Sequence, residues 1–72
     1  MSADNYIAVG QGSDDRWYVW MVGGGYDDED WSVERNKDRA VVFDDKLAAL
    51  EHAHWRCTQE IVEYGVSLLP SV

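Results

Sequence analysis

Two apolar runs open the chain, Tyr6-Ile7-Ala8-Val9 and Trp17-Tyr18-Val19-Trp20-Met21-Val22. Both are rich in β-branched and aromatic residues, which suit a pleated, half-buried surface. Between them Gly10-Gln11-Gly12-Ser13-Asp14-Asp15 has the composition of a turn, so the pattern predicts a β-hairpin. Along the second run Trp17, Val19 and Met21 point one way, and Tyr18, Trp20 and Val22 the other. Both sides are apolar. The strand is therefore expected to lie inside a sheet, or to have one face covered from outside the domain.

After the segment Gly23-Gly24-Gly25-Tyr26-Asp27-Asp28-Glu29-Asp30, residues Trp31-Ser32-Val33-Glu34-Arg35 alternate apolar and polar. Asn36-Lys37-Asp38 has turn character and Arg39-Ala40-Val41-Val42-Phe43 reads as another strand. Together they predict a second hairpin; the alternative, one long loop over residues 23–38, is less common in a compact domain.

From Asp45 to Tyr64 the period changes. Leu47, Leu50, His54, Cys57, Ile61 and Tyr64 are spaced three or four apart, one stripe of a helix. Asp44 or Asp45 is suited to the N-cap, and Gly65 stands where a left-handed C′ residue is expected. Val66-Ser67-Leu68-Leu69 can add a short strand before Pro70. The expected fold is α+β: one domain over residues 1–72, with a small antiparallel sheet of three to four strands, an optional short C-terminal strand, and one long α-helix across a face.

A chain of 72 residues buries only about 60% of its unfolded surface, so its core is small. Four tryptophans cannot all be accommodated there. Trp55 and one of Trp17 or Trp20 are expected in the core, and Trp31, which follows the acid run, at the surface. The single cysteine, Cys57, forms no intrachain disulfide and is compatible with a reducing compartment. The start MSADNYIAV lacks the features of a signal peptide, and no stretch approaches the roughly 18 apolar residues that span a bilayer. A cytoplasmic protein is expected, without membrane contact.

Fourteen acids against six bases give net charge −8, which disfavours direct binding to nucleic acid and favours a cationic partner. Residues 1–45 carry eleven acids and four bases, so most of the surplus lies in the first half.

Candidate chemistry is sparse. The glycines before Asp27 lack the Lys and Ser or Thr of a phosphate loop, and the acids that follow would repel phosphate. An EF-hand begun at Asp28 puts Val33 at the glycine place and Arg39 at the bidentate glutamate place, which excludes it. His52 and His54 diverge by about 200° on a helix and cannot share an ion. Glu51, His54 and Cys57 rise along one side, but the di-iron use of Glu-x-x-His needs a second copy on a facing helix. A His54/Cys57 nucleophile pair lacks an oxyanion donor set and an orienting group. No catalytic residue, metal or cofactor is expected.

Three acidic clusters remain: Asp14-Asp15, Asp27 to Asp30, and Asp44-Asp45. Turn and cap preferences account for the two pairs. They do not account for four acids in succession, which repel one another by a few tenths of a kcal/mol per exposed neighbouring pair. If four strands alternate, Asp27–Asp30 and Asp44-Asp45 share one end of the sheet. With three strands, Asp14-Asp15 joins Asp44-Asp45 and the central run stands apart.

The runs DDED and DD, the GGGYDDEDW segment beside aromatic strands, and the single small domain resemble in kind the small acidic proteins of phages and mobile elements that block host defence, including anti-CRISPR proteins and DNA mimics. The resemblance implies binding to a basic nucleic-acid channel of an effector complex in the host cytoplasm, with Asp and Glu standing in for phosphates. The expected contact residues are Asp27, Asp28, Glu29, Asp30, Tyr26 and Trp31, joined by Asp44, Asp45, Asp14 and Asp15. The alternative is a halophile-type accessory domain, acidic for solubility. A homodimer is compatible with either reading.

Overall fold

A computed structural model describes residues 6–22, 32–59 and 65–69. Strand β1 (Tyr6–Gln11) and strand β2 (Trp17–Val22) form the expected hairpin, antiparallel with Tyr6 opposite Val22 and Gln11 opposite Trp17. β1 runs two residues further than turn composition suggests. Gly10 belongs to the strand because a Cβ there would lie 2.6 Å from Val33 Cγ2; the bare backbone lets the next element pack closely. In the turn, the Gly12 carbonyl accepts from the Asp15 amide at 3.0 Å and the Gly12 amide donates to the Arg16 carbonyl at 2.8 Å. This is a three-residue loop that needs a left-handed residue, supplied by Asp15 at φ 67.

The predicted strand over Trp31–Arg35 does not form; Trp31 itself lies outside the described residues. Ser32 precedes a one-turn helix α1 (Val33–Asn36), which runs into a 3₁₀ turn at Lys37–Arg39. Five alternating residues cannot distinguish a strand from a helical turn. Tertiary contacts favoured the turn. Val33 buries against the sheet, Glu34 reaches Lys37 one turn on, and Asn36 donates its side-chain amide to the Ser32 carbonyl at 2.7 Å.

Strand β3 is only Val41–Phe43, antiparallel to β2 with Phe43 opposite Trp17. Helix α2 (Lys46–Gln59) follows, and strand β4 (Val66–Leu68) pairs with the far side of β1. The sheet order is β3-β2-β1-β4, so β2 has the interior place that its two apolar faces require. β4 is parallel to β1, which makes the sheet mixed and not purely antiparallel. The cause is the single helix between β3 and β4: it carries the chain back along the sheet, so the next strand repeats the direction of β3.

Two apolar layers result. Under α2 lie Ile7, Val9 and Val19 against Ala49 and Ala53, flanked by Trp17, Met21, Phe43, Leu50, Cys57 and Val66. On the other face Ala8, Tyr18, Trp20 and Val33 pack with Tyr6, Val22, Ala40 and Leu69.

The helix meets the sheet along a different line from the predicted stripe. Leu50 and Cys57 are on that line, but Leu47 and His54 are exposed, and Ile61 and Tyr64 lie outside the described residues. Ala49 and Ala53, one turn apart, form the contact. With Trp17 and Phe43 already filling volume on the sheet, small helix residues allow close approach. Trp20 takes the core place, whereas Trp55 is 56% exposed on the outer half of α2. Gly65 is left-handed as expected, at φ 77, and its carbonyl accepts from the Ile7 amide at 2.8 Å.

Candidate functional site

β3 runs antiparallel to β2, so Phe43 leads Asp44 and Asp45 out at the end of the sheet where the β1–β2 turn lies. Asp14-Asp15 and Asp44-Asp45 therefore share one end, the arrangement expected from three strands before the helix. Arg16 joins the two clusters, its Nε 3.7 Å from Asp44 Oδ1. That pair is open to solvent, with the Asp44 side chain 90% exposed, so it contributes at most about 1 kcal/mol.

Asp14, Glu34 and Asp45 at this end are occupied by the fold. Asp14 accepts from the Tyr18 hydroxyl at 2.5 Å and from the Arg16 amide at 3.2 Å. The Tyr18 bond, reinforced by the Arg16 amide and the nearby Lys37 ammonium, holds the Asp14 carboxyl below its ordinary 3.8 against a smaller opposing effect of burial. The same bond raises the Tyr18 phenol above 10.0, because the neutral hydroxyl is the donor. Tyr18 has a buried ring whose hydroxyl emerges at the turn.

Beside it, Glu34 Oε2 accepts from the Ser13 amide at 3.3 Å and the Ser13 hydroxyl at 3.1 Å. Its other oxygen lies 3.2 Å from Lys37 Nζ. The Ser13 amide, then Lys37, lower the Glu34 carboxyl below 4.5, and Glu34 raises the Lys37 ammonium above 10.5. Lys37 stands 5.5 Å over the Tyr18 ring and 3.9 Å from Asp14 Oδ2. These five residues fasten α1 to the hairpin turn. Sequence reasoning missed the cluster; only the three-residue spacing of Glu34 and Lys37 pointed to any of it.

Asp45 is the N-cap of α2: its Oδ2 accepts from the Ala48 amide at 3.1 Å, and its carbonyl from the Ala49 amide at 3.1 Å. Of the four acids expected at this end, Asp14 and Asp45 have structural partners. Asp44 and the turn residue Asp15 face solvent. Asp27, Asp28, Glu29, Asp30, Tyr26 and Trp31 lie outside the described residues, between the end of β2 and Ser32.

On α2, Glu51 and His54 are exposed while Cys57 packs against the core, so the three do not converge. His52 instead lies between two aromatic rings, 5.2 Å from Phe43 and 5.7 Å from Trp55. Burial lowers its imidazole below 6.5, and the charge of Arg56 adds to the effect. Among the described residues no three His, Cys, Asp or Glu side chains come together as a metal site, and no helix is long and apolar enough to cross a membrane. Comparison with protein-family models, with curated proteins and with solved structures finds no match to this chain.

Proposed function

We propose that the protein is a non-enzymatic acidic binding protein that occupies a basic, nucleic-acid-binding surface of a partner complex in the cytoplasm, in the manner of anti-defence inhibitors. The observation that carries this reading is the run Asp27-Asp28-Glu29-Asp30, four acids in succession that turn and cap preferences do not account for. Among the described residues, by contrast, Asp14, Glu34 and Asp45 serve the fold itself. Acidity selected only for solubility has no need to concentrate four neighbouring carboxylates between Tyr26 and Trp31. In this reading the acids of the run steer association, and Tyr26 and Trp31 beside them supply the apolar contact that lengthens residence. Asp44 and Asp15 add charge at the turn end.

The experiment is capture of a partner from host-cell extract on the immobilised protein, eluted along a salt gradient, followed by displacement of labelled DNA or RNA from that partner. The variant D27N/D28N/E29Q/D30N is expected to associate at least about tenfold more slowly at low salt, with a flatter salt dependence. Equal association by wild type and variant at low salt, or capture of the partner without loss of its nucleic acid, would refute the proposal.

A further inference from the structure

Two side-chain nitrogens among the described residues are enclosed without a hydrogen-bond partner, Trp20 Nε1 and His52 Nε2. The indole nitrogen always carries its proton, whereas an imidazole can hold one on either nitrogen or on both. His52 stands between Phe43, at the end of β3, and Trp55, three residues further along α2, with ring planes inclined by 43° and 34°. An enclosed N–H with no acceptor is a rarer and costlier arrangement than an enclosed bare lone pair. The slot between the two rings therefore suits a neutral imidazole with its hydrogen on Nδ1 and an unprotonated Nε2 turned inward.

A second proton on this ring would meet no anion. The residues that the strands turn toward α2, Ile7, Val9, Val19 and their apolar neighbours, carry no titratable group. Past the end of β3, Asp44 lies near Arg16, and Asp45 caps α2. On the helix itself Glu51 and His54 are exposed, Cys57 packs with the core, and Lys46 stands 5.5 Å over the Trp17 ring. The charge that acts on His52 is that of Arg56, one turn on, and it is positive. An imidazolium therefore has to leave the slot for water, and its departure breaks both ring contacts. β3 has little else to hold it on the helix. It is three residues long, Val41 and Val42 are 42% and 44% exposed, and Phe43 is its anchor on the α2 side.

We infer that His52 is a pH-sensitive latch between β3 and α2: the neutral Nδ1–H ring holds Phe43 against the helix, and the imidazolium swings into water and frees Phe43 and Trp55. The β1–β2 hairpin stays closed, so the opening is local and precedes unfolding of the domain. Below neutral pH the latch turns a packed run of rings into an exposed aromatic surface beside β3. Opening takes up one proton, and the swung-out imidazole has the ordinary value of 6.5. The open population therefore grows about tenfold for each pH unit below that value. The inference is independent of the acid run, and substitutions at residues 27–30 leave it untouched.

Nuclear magnetic resonance of the 15N-labelled protein, titrated from neutral to mildly acidic pH, is the test, with His54→Gln to leave His52 as the single histidine. At neutral pH the nitrogen shifts should show a protonated Nδ1 and a bare Nε2. As the ring titrates, the proton–proton contact between Phe43 and His52 should vanish. Exchange of the β3 amides, corrected for its intrinsic pH dependence, should quicken about tenfold per unit below 6.5. Exchange at Ala8 and Trp20, paired across the hairpin, should not change. His52→Phe should keep β3 protected at every pH. A neutral ring with its hydrogen on Nε2 overturns the inference, as does a Phe43 contact that survives protonation. Equal loss of protection at β3, Ala8 and Trp20 also overturns it, because the opening is then global. The wild-type titration decides the question even if His52→Phe fails to fold.

Discussion

Gly10→Ala is the most exposing test of how α1 is held on the sheet. A Cβ built on Gly10 meets Val33 Cγ2 at 2.6 Å and Leu69 Cδ1 at 3.4 Å. Unstrained carbon contacts lie at about 3.5–4.0 Å, so Val33 must retreat by roughly 1 Å. Val33 cannot do so alone. It is buried against Ala8, Tyr18 and Trp20, and its neighbour Glu34 is tied to Ser13 and Lys37. Overpacking of this kind costs about 1–3 kcal/mol, offset by about 0.5 kcal/mol from the reduced entropy of the unfolded chain. For a domain of this size each kcal/mol moves Tm by about 4–8 °C, so thermal unfolding should show a drop of several degrees or more. The double-mutant cycle with Val33→Ala makes the reasoning specific, because removing Cγ2 removes the clash. A Gly10→Ala variant as stable as wild type would refute the argument. So would a cost that is unchanged in the Val33→Ala background.

Asp45→Ala removes the acceptor for the Ala48 amide and should cost about 1 kcal/mol, measured by urea unfolding, while Asp45→Asn retains most of the stability; equal stability of the two variants would show that the cap is not the source. The pH dependence has a definite sign. His52 takes a proton near 6.5 when unfolded but resists it when folded, so its contribution to stability is complete above 6.5 and is lost as pH falls below that value. Glu34 and Asp14, both lowered in the fold, extend the loss below about 4.5 and 3.8 respectively. Tm measured from pH 7 to 5 should therefore fall in wild type and stay flatter in His52→Phe; parallel profiles would remove His52 from the account.

The parts of the fold that could be read from the chain were those set by long patterns. Six residues of β2, apolar on both faces, pointed to an interior strand or to a face covered from outside the domain, and the spacing of Leu50 and Cys57 marked a helix. Short segments were ambiguous because their conformation is decided by distant partners. Val33 to Asn36 became helical through Ser13, Lys37 and the gap left at Gly10, none of which is visible in a window of five residues. The rotation of α2 has a similar cause. Periodicity finds the largest apolar residues on a helix, but the sheet beneath already carried Trp17 and Phe43, and alanines at 49 and 53 fitted the remaining space. Trp55 was thereby left outside.

Reading the acids required the same distinction between residue type and partner. In sequence, Asp14, Asp15, Asp44 and Asp45 are equivalent pairs at two junctions. In the fold they separate into an acceptor for Tyr18, a left-handed turn residue, a solvated carboxylate near Arg16, and a helix cap. A carboxylate that accepts two or three short hydrogen bonds has much of its field satisfied locally and offers little to a cationic partner. Net charge thus overstates how much of this surface could imitate a polyanion.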